Sequence, residues 1–266
     1  MLDLGRLSLQ FWRTKRISLK GLFLSFLLGG SGFVWANTAS DVLIEKFQRI
    51  HLQLAPSDPS HTGITLRLAD ILAERARVQA MAELEKGCVE CLAGNADREA
   101  AVKYYLEALP KLQDSQKGRV LSQLGHLYEL LGQSAKAIAL YKDIIKTQVD
   151  PQAVAEAYLS MGEIYFKRHD FSAALGQYNQ VLTIPSERRS LAAYRRAWCY
   201  FNLGKVTEAI DALLVILNDP KLLTRGNQGV VAVDEGYKAE VARDLATFMA
   251  KNGGGLNEAQ DLFKHS

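Results

Sequence analysis

Between residues 121 and 213 the apolar positions fall at intervals of three and four, the spacing that places side chains on one face of an α-helix. Leu121, Leu124, Gly125 and Tyr128 make one such stripe, which must meet another surface. The stripe belongs to a longer pattern: a small residue, a Tyr three positions on, an Ala nine beyond, and an aromatic or Leu four further. Its three frames are Leu124, Gly125, Tyr128, Ala137, Tyr141; Met161, Gly162, Tyr165, Ala174, Tyr178; and Arg196, Ala197, Tyr200, Ala209, Leu213. Gly125 and Gly162 are 37 residues apart, Gly162 and Ala197 are 35 apart, and such a period predicts stacked helical hairpins. Each frame divides at a short polar turn, at Gly132, His169 and Gly204 respectively, which permits only antiparallel neighbours. Asp150-Pro151, Ile184-Pro185 and Asp219-Pro220 then end each second helix, because proline cannot continue one.

On these residues the chain resembles the tetratricopeptide repeat family, whose 34-residue pattern is met nearly completely by 118–151 and 155–185. The third unit, 190–220, departs from it, with Arg196 where Leu is usual and Ala197 in place of Gly. The resemblance implies an all-α fold, an α-solenoid of stacked antiparallel helix pairs forming a superhelix. Weaker units flank the clear ones. Leu68, Ala69 and Leu72 with Ala101, Tyr105, Ala108 and Pro110 suggest a degenerate unit over 62–111, enlarged by about twenty residues. Much of the insertion, Ala73 to Lys86, favours extension of the first helix. A partial unit is expected over 235–266, its second helix confined to Leu256–His265 after Gly253-Gly254-Gly255. That leaves a last apolar face for a partner, or for a longer parent chain, to cover.

The N-terminus follows a different logic. Five basic residues precede an apolar run from Gly21 to Trp35, and Val34-Trp35-Ala36 supplies a cleavage-site pattern. Residues 1–36 therefore read as a secretory signal peptide, with 37–60 an N-terminal helix and Pro-containing turn and 61–266 the repeat array. An uncleaved signal anchor is the alternative; if the signal is cleaved, the mature chain does not span a membrane. The expected location is periplasmic or exported, in a bacterial cell envelope. The leader carries a net charge of +4 and the whole chain +3, which leaves −1 for the remainder. No cationic face for nucleic acid is expected there.

Cys88-Val89-Glu90-Cys91 has the spacing of redox and metal motifs, yet it follows a helix end at Gly87 and no strand precedes it. A local disulfide at the tip of the insertion is one reading. A thiol-disulfide or metal-linked function, or a pair of free thiols, are the others. For a metal only the distant His61 or His126 offers a further ligand, so no metal site and no cofactor are expected. Cys199 stands where repeats hold a small buried residue and reads as a packed thiol. Catalytic signatures are absent, and Asp170 after His169 reads as a helix cap. The protein is not expected to be an enzyme.

The family resemblance also implies where a ligand would sit, since first helices of such arrays line a concave groove. Carried onto this chain, the groove positions include Arg119, His126 and Glu129, then Leu159, Glu163 and Phe166, then Tyr194, Trp198, Phe201 and Asn202. The third set is the most aromatic, and exposed aromatics anchor apolar peptides. The opposing reading packs Trp198 and Phe201 against the following helix, Tyr237 to Met249. The expected function is a scaffold holding a protein or peptide in the groove, within a cell-envelope assembly or as an accessory to a cell-wall enzyme. A weaker resemblance, on Leu54-Ala55-Pro56-Ser57-Asp58-Pro59 and the Leu66-Arg67-Leu68-Ala69 helix, is to large envelope repeat proteins of gliding and predatory bacteria.

Overall fold

In the computed structural model, residues 32–89, 91–147, 150–224 and 233–253 are described. Ten α-helices lie among them: α1 (Gly32–Gln53), α2 (His61–Glu85), α3 (Asn95–Ala108), α4 (Asp114–Leu130), α5 (Ser134–Thr147), α6 (Pro151–Lys167), α7 (Phe171–Thr183), α8 (Arg189–Asn202), α9 (Val206–Asn218) and α10 (Glu235–Lys251). Residues 43–266 cluster as one compact unit and residues 1–42 as another, of which only the opening half of α1 is described. Within the larger unit α2 packs on α3, α4 on α5, α6 on α7 and α8 on α9, and each pair passes its contacts to the next. The result is an all-α solenoid of stacked antiparallel helix pairs. Most of the expected signal peptide and the expected helix Leu256–His265 lie outside the described residues. Helix α1 runs unbroken through Ala36 and Asn37. No described helix is long and apolar enough to cross a membrane.

The reason for Gly125 and Gly162 is steric. A Cβ built on Gly125 would lie 2.6 Å from Cε1 of Tyr141, and one on Gly162 would lie 2.5 Å from Cε1 of Tyr178. Each second helix thus drives a Tyr ring into the groove left by a missing side chain. The hydroxyl at the far end is buried too, and a buried donor without a partner is costly. Tyr141 donates to Glu129, and Tyr178 donates to Glu163 at 2.7 Å. Burial first, then the charge of the facing glutamate, pushes both hydroxyls well above the usual tyrosine range, so they remain donors.

The turns between paired helices also share one device. Gly132, His169 and Gly204 all adopt left-handed angles, at φ 72°, 59° and 76°. His169 is the one non-glycine residue there, and its ring lies 5.7 Å edge-on to Phe171. Helix starts are capped by aspartates: Asp150 accepts from Gln152 N, Asp170 from Ala173 N and Asp234 from Tyr237 N, each at 3.0 Å. Helix α2 extends through most of the insertion to Glu85, as its Ala, Glu and Arg content favours. The chain then returns so tightly that a Cβ on Gly94 would meet the Ala76 backbone at 2.5 Å.

Candidate functional site

One concave feature of the described residues is a cleft of about 210 Å³ between α2, α3 and α4. Helix α2 supplies Asp70, Glu74 and Arg77, α3 supplies Arg98, and α4 supplies Arg119 and His126. Two of the three guanidiniums are engaged: Arg77 binds both carboxylate oxygens of Glu74 at 2.6 and 2.8 Å, and Arg119 lies 3.2 Å from Asp70. Asp70 also accepts from the Tyr105 hydroxyl at 2.5 Å. Arg98 differs from both. It is 4% exposed, its Nη1 donates to Asn95, and its Nε is buried without a hydrogen-bond partner among the described residues. Burial lowers its pKa from the usual guanidinium value, against the charge of Glu83. A buried polar atom without a hydrogen bond is unfavourable, and Arg98 lines the cleft.

The groove positions named by sequence divide into three groups. Arg119 and His126 are exposed and line the cleft together. Glu129 and Glu163 are half-buried and occupied by tyrosine hydroxyls; Glu163 accepts in addition from Arg195 Nε at 2.8 Å. They are not positional equivalents, since Glu129 lies four residues past Gly125 and Glu163 one past Gly162. Phe166 is half-buried, edge-on to Phe171 at 5.2 Å with Arg195 over its ring at 5.4 Å, and Leu159 is buried.

The aromatic third set packs inward. Tyr194 is 5% exposed and donates to Asp244 at 2.5 Å. Trp198 Nε1 donates to the same carboxylate at 3.2 Å and its ring meets Phe248 edge-on at 5.1 Å. Phe201 stacks on Phe248 with centroids 4.0 Å apart and an interplanar angle of 10°. Asn202 donates to the Trp198 carbonyl at 2.7 Å. These rings form the contact between α8 and α10, the opposing reading of the sequence, because α10 presents Phe248 and Asp244 where a ligand would otherwise lie.

Cys88 and Cys91 have their sulfurs at bonding distance, 2.15 Å, in the loop after α2. The carboxylate that joins them is Glu83, in place of the His61 or His126 considered from sequence. Its Oε2 lies 4.0 Å from Cys88 Sγ and accepts from Ala93 N at 2.8 Å. One ligand atom from each of Glu83, Cys88 and Cys91 lies within 4.8 Å of the others. Cys199 is buried, and burial pushes its thiol up to about 12, which removes it from thiolate chemistry near neutral pH. A second cluster, His51, His61 and Glu107, escaped the sequence reading altogether. Its members come from three helices, and no short-range spacing signals them.

Comparison with known proteins agrees with this geometry. Residues 118–148 and 159–221 match family models described as tetratricopeptide repeat. No curated protein matches the sequence. Among solved structures the chain is similar to MamA protein, at 20% identity and TM-score 0.50, over 76% of this chain and 90% of that one. It is similar also to the C-terminal part of a TPR repeat-containing protein from Cytophaga hutchinsonii, at 15% identity and TM-score 0.50, over 83% and 78% of the two chains. A third is BtubC from P. vanneervenii, at 19% identity and TM-score 0.51, over 88% and 92%. These likenesses show the fold alone and do not single out envelope proteins of gliding or predatory bacteria. With their Gly–Tyr hairpins, left-handed turns and matching family models, residues 118–148 and 159–221 are tetratricopeptide repeats, an architecture typical of non-catalytic scaffolds.

Proposed function

We propose that the protein is an exported scaffold that holds an acidic peptide segment of a protein partner in the cleft between α2 and α4. The observation that carries this reading is Arg98, a buried guanidinium that lines the cleft and whose Nε has no hydrogen-bond partner among the described residues. A Glu or Asp side chain entering there would supply a charge-assisted hydrogen bond in a partly desolvated place, where such bonds are strong. Arg119 and His126 line the entrance, and Leu127 and Leu130 offer apolar surface beside them. The basic leader followed by an apolar run supports export, and an envelope assembly or a cell-wall enzyme is the setting in which such a partner is sought.

The test is fluorescence anisotropy with a labelled Glu/Asp-rich peptide against its Gln/Asn counterpart. Arg98→Gln is expected to weaken capture of the acidic peptide at least about tenfold, one charge-assisted hydrogen bond's worth. The exposed Arg119→Ala weakens it less, with helicity followed by circular dichroism. Equal binding of the neutral peptide, or capture untouched by both variants, overturns the reading.

A second reading, a thiol-disulfide or metal-linked function at Cys88 and Cys91, has the more direct support, because its reacting atoms already lie together with Glu83. As a disulfide the pair binds no metal; reduced, it offers two thiolates and a carboxylate. Reduction followed by Zn²⁺ titration distinguishes these states. Loss of zinc uptake in Cys88→Ser supports the metal-linked form, and absence of both uptake and exchange with a model dithiol removes the second reading.

A further inference from the structure

We propose that His51, His61 and Glu107 form a binding site for a divalent transition ion of the zinc class, which staples the N-terminal helix to the first hairpin. The three residues come from three helix ends. His51 lies in the last turn of α1, His61 opens α2, and Glu107 lies in the last turn of α3. Glu107 Oε1 stands 3.5 Å from His51 Nε2 and 3.9 Å from His61 Nε2. All three ligand atoms fall within 4.8 Å of one another. Ligands held tetrahedrally at zinc–nitrogen distances are separated by about 3.3 Å, so small side-chain adjustments close the site.

Proton bookkeeping around Thr65 sets the orientation of both rings. Thr65 is buried, and its hydroxyl donates its single proton to the His61 carbonyl at 2.8 Å. The same oxygen lies 3.2 Å from His51 Nδ1 and 3.4 Å from His61 Nδ1. With its proton already used, it meets both nitrogens only as an acceptor, so both rings carry hydrogen on Nδ1. In their neutral forms each then presents an Nε2 lone pair toward the Glu107 carboxylate. Three electron-rich atoms facing one another at these distances are a ready set of donors for a cation. The two rings lie with centroids 4.7 Å apart, both largely buried. A single divalent ion serves all three donors at once.

The surroundings match what a metal site requires outside its ligands. A ligating His ordinarily donates its other ring nitrogen to an oxygen that fixes its orientation, and Thr65 does so for two. Tyr104 holds the His51 ring edge-on at 5.3 Å. Glu107 is 35% exposed in its side chain, which leaves an aqueous route and a position for water on the ion. Two imidazoles and one carboxylate select zinc-class ions over calcium or magnesium, which prefer oxygen ligands. Ile44 packs in the core and Phe47 against it, so the ion would add a directed link at the far end of the same helix.

The test is titration of the untagged full chain with Co²⁺ and Zn²⁺. One equivalent of Co²⁺ is expected to give the visible bands of a low-coordinate nitrogen–oxygen site, and Zn²⁺ to displace it and raise Tm. Both effects persist in Cys88→Ser/Cys91→Ser and disappear in His51→Ala and Glu107→Gln. Thr65→Val weakens affinity about tenfold to a hundredfold while Thr65→Ser restores it. Three results overturn the proposal: no spectrum and no Tm shift, binding that survives His51→Ala, or binding abolished by the cysteine substitutions. The last places the metal with Glu83 and leaves the acidic-peptide reading untouched.

Discussion

The hairpins α4–α5 and α6–α7 solve a packing problem one way, and α8–α9 solves it another. In the first two, a Tyr from the second helix fills the space above a Gly, and its hydroxyl is accepted by a glutamate of the first helix. In the third, Leu213 and Ala197 stand at the corresponding positions in one core cluster, both fully buried, and Leu213 carries no hydroxyl that needs an acceptor. Volume removed from one helix is thus returned on the other. The polar link has not vanished from the third repeat; it has moved forward. Tyr194 and Trp198 reach Asp244 of α10, so the hydroxyl-to-carboxylate device that closes a hairpin in the earlier units joins α8 to the next helix here. The aromatic richness of the third unit is therefore the cost of making that junction.

The comparison breaks most severely at Phe248. It is fully buried, stacked by Phe201 and met edge-on by Trp198. Phe248→Ala is expected to cost about 3–5 kcal/mol in urea denaturation, the range for large aromatic truncations in a core. A loss below about 1 kcal/mol would mean that α8 does not depend on α10 for burial, returning its aromatics to the groove. The next effect is smaller and tests volume exchange itself. Gly162→Ala forces a methyl against the Tyr178 ring and is expected to cost about 1–3 kcal/mol. Adding Tyr178→Leu rebuilds the pairing of the third repeat, so the double variant should be more stable than the sum of the singles predicts. Strict additivity would remove the complementarity argument.

Sequence carried the hairpins because their signals are local. Gly125 with Tyr141 and Gly162 with Tyr178 are each sixteen residues apart, and the proline breaks and polar turns lie within the same window. The extended α2 was legible for the same reason, from its helix-forming content. The direction in which Tyr194, Trp198 and Phe201 point was not, since both groove and core accept aromatics and only Phe248, nearly fifty residues beyond, decides between them. The partners of the groove positions Glu129 and Glu163 were hidden for a related reason, since a carboxylate on a helix face does not show which tyrosine meets it. The cleft was legible in part, through Arg119 and His126, but Arg98 belongs to the second helix of a degenerate unit, outside the inherited groove positions. His51, His61 and Glu107 span 56 residues and three helix ends, a separation at which no spacing rule operates.

The finest distinction between the two arrangements is electrostatic. Glu163 has the Arg195 guanidinium at 2.8 Å beside its tyrosine, whereas Asp244 accepts from the hydroxyl of Tyr194 and the indole of Trp198. Burial raises the Asp244 pKa above the usual aspartate value, opposed by those two hydrogen bonds and by Arg243. The folded protein therefore holds this proton more tightly than the unfolded chain does. Between the unfolded value, about 4, and the raised folded value, the native state binds more protons, so this contribution to stability falls as pH rises through that window. Above the folded value the contribution levels off at its lowest point. Asp244→Asn keeps an oxygen for Tyr194 and Trp198 but cannot ionise. Its denaturation midpoint should lack the parent's fall across the acid range, so that the variant gains on the parent from pH 4 toward 7. A parent and variant that titrate in parallel would show that the junction carries no such strain, and that the third repeat differs from its neighbours in shape alone.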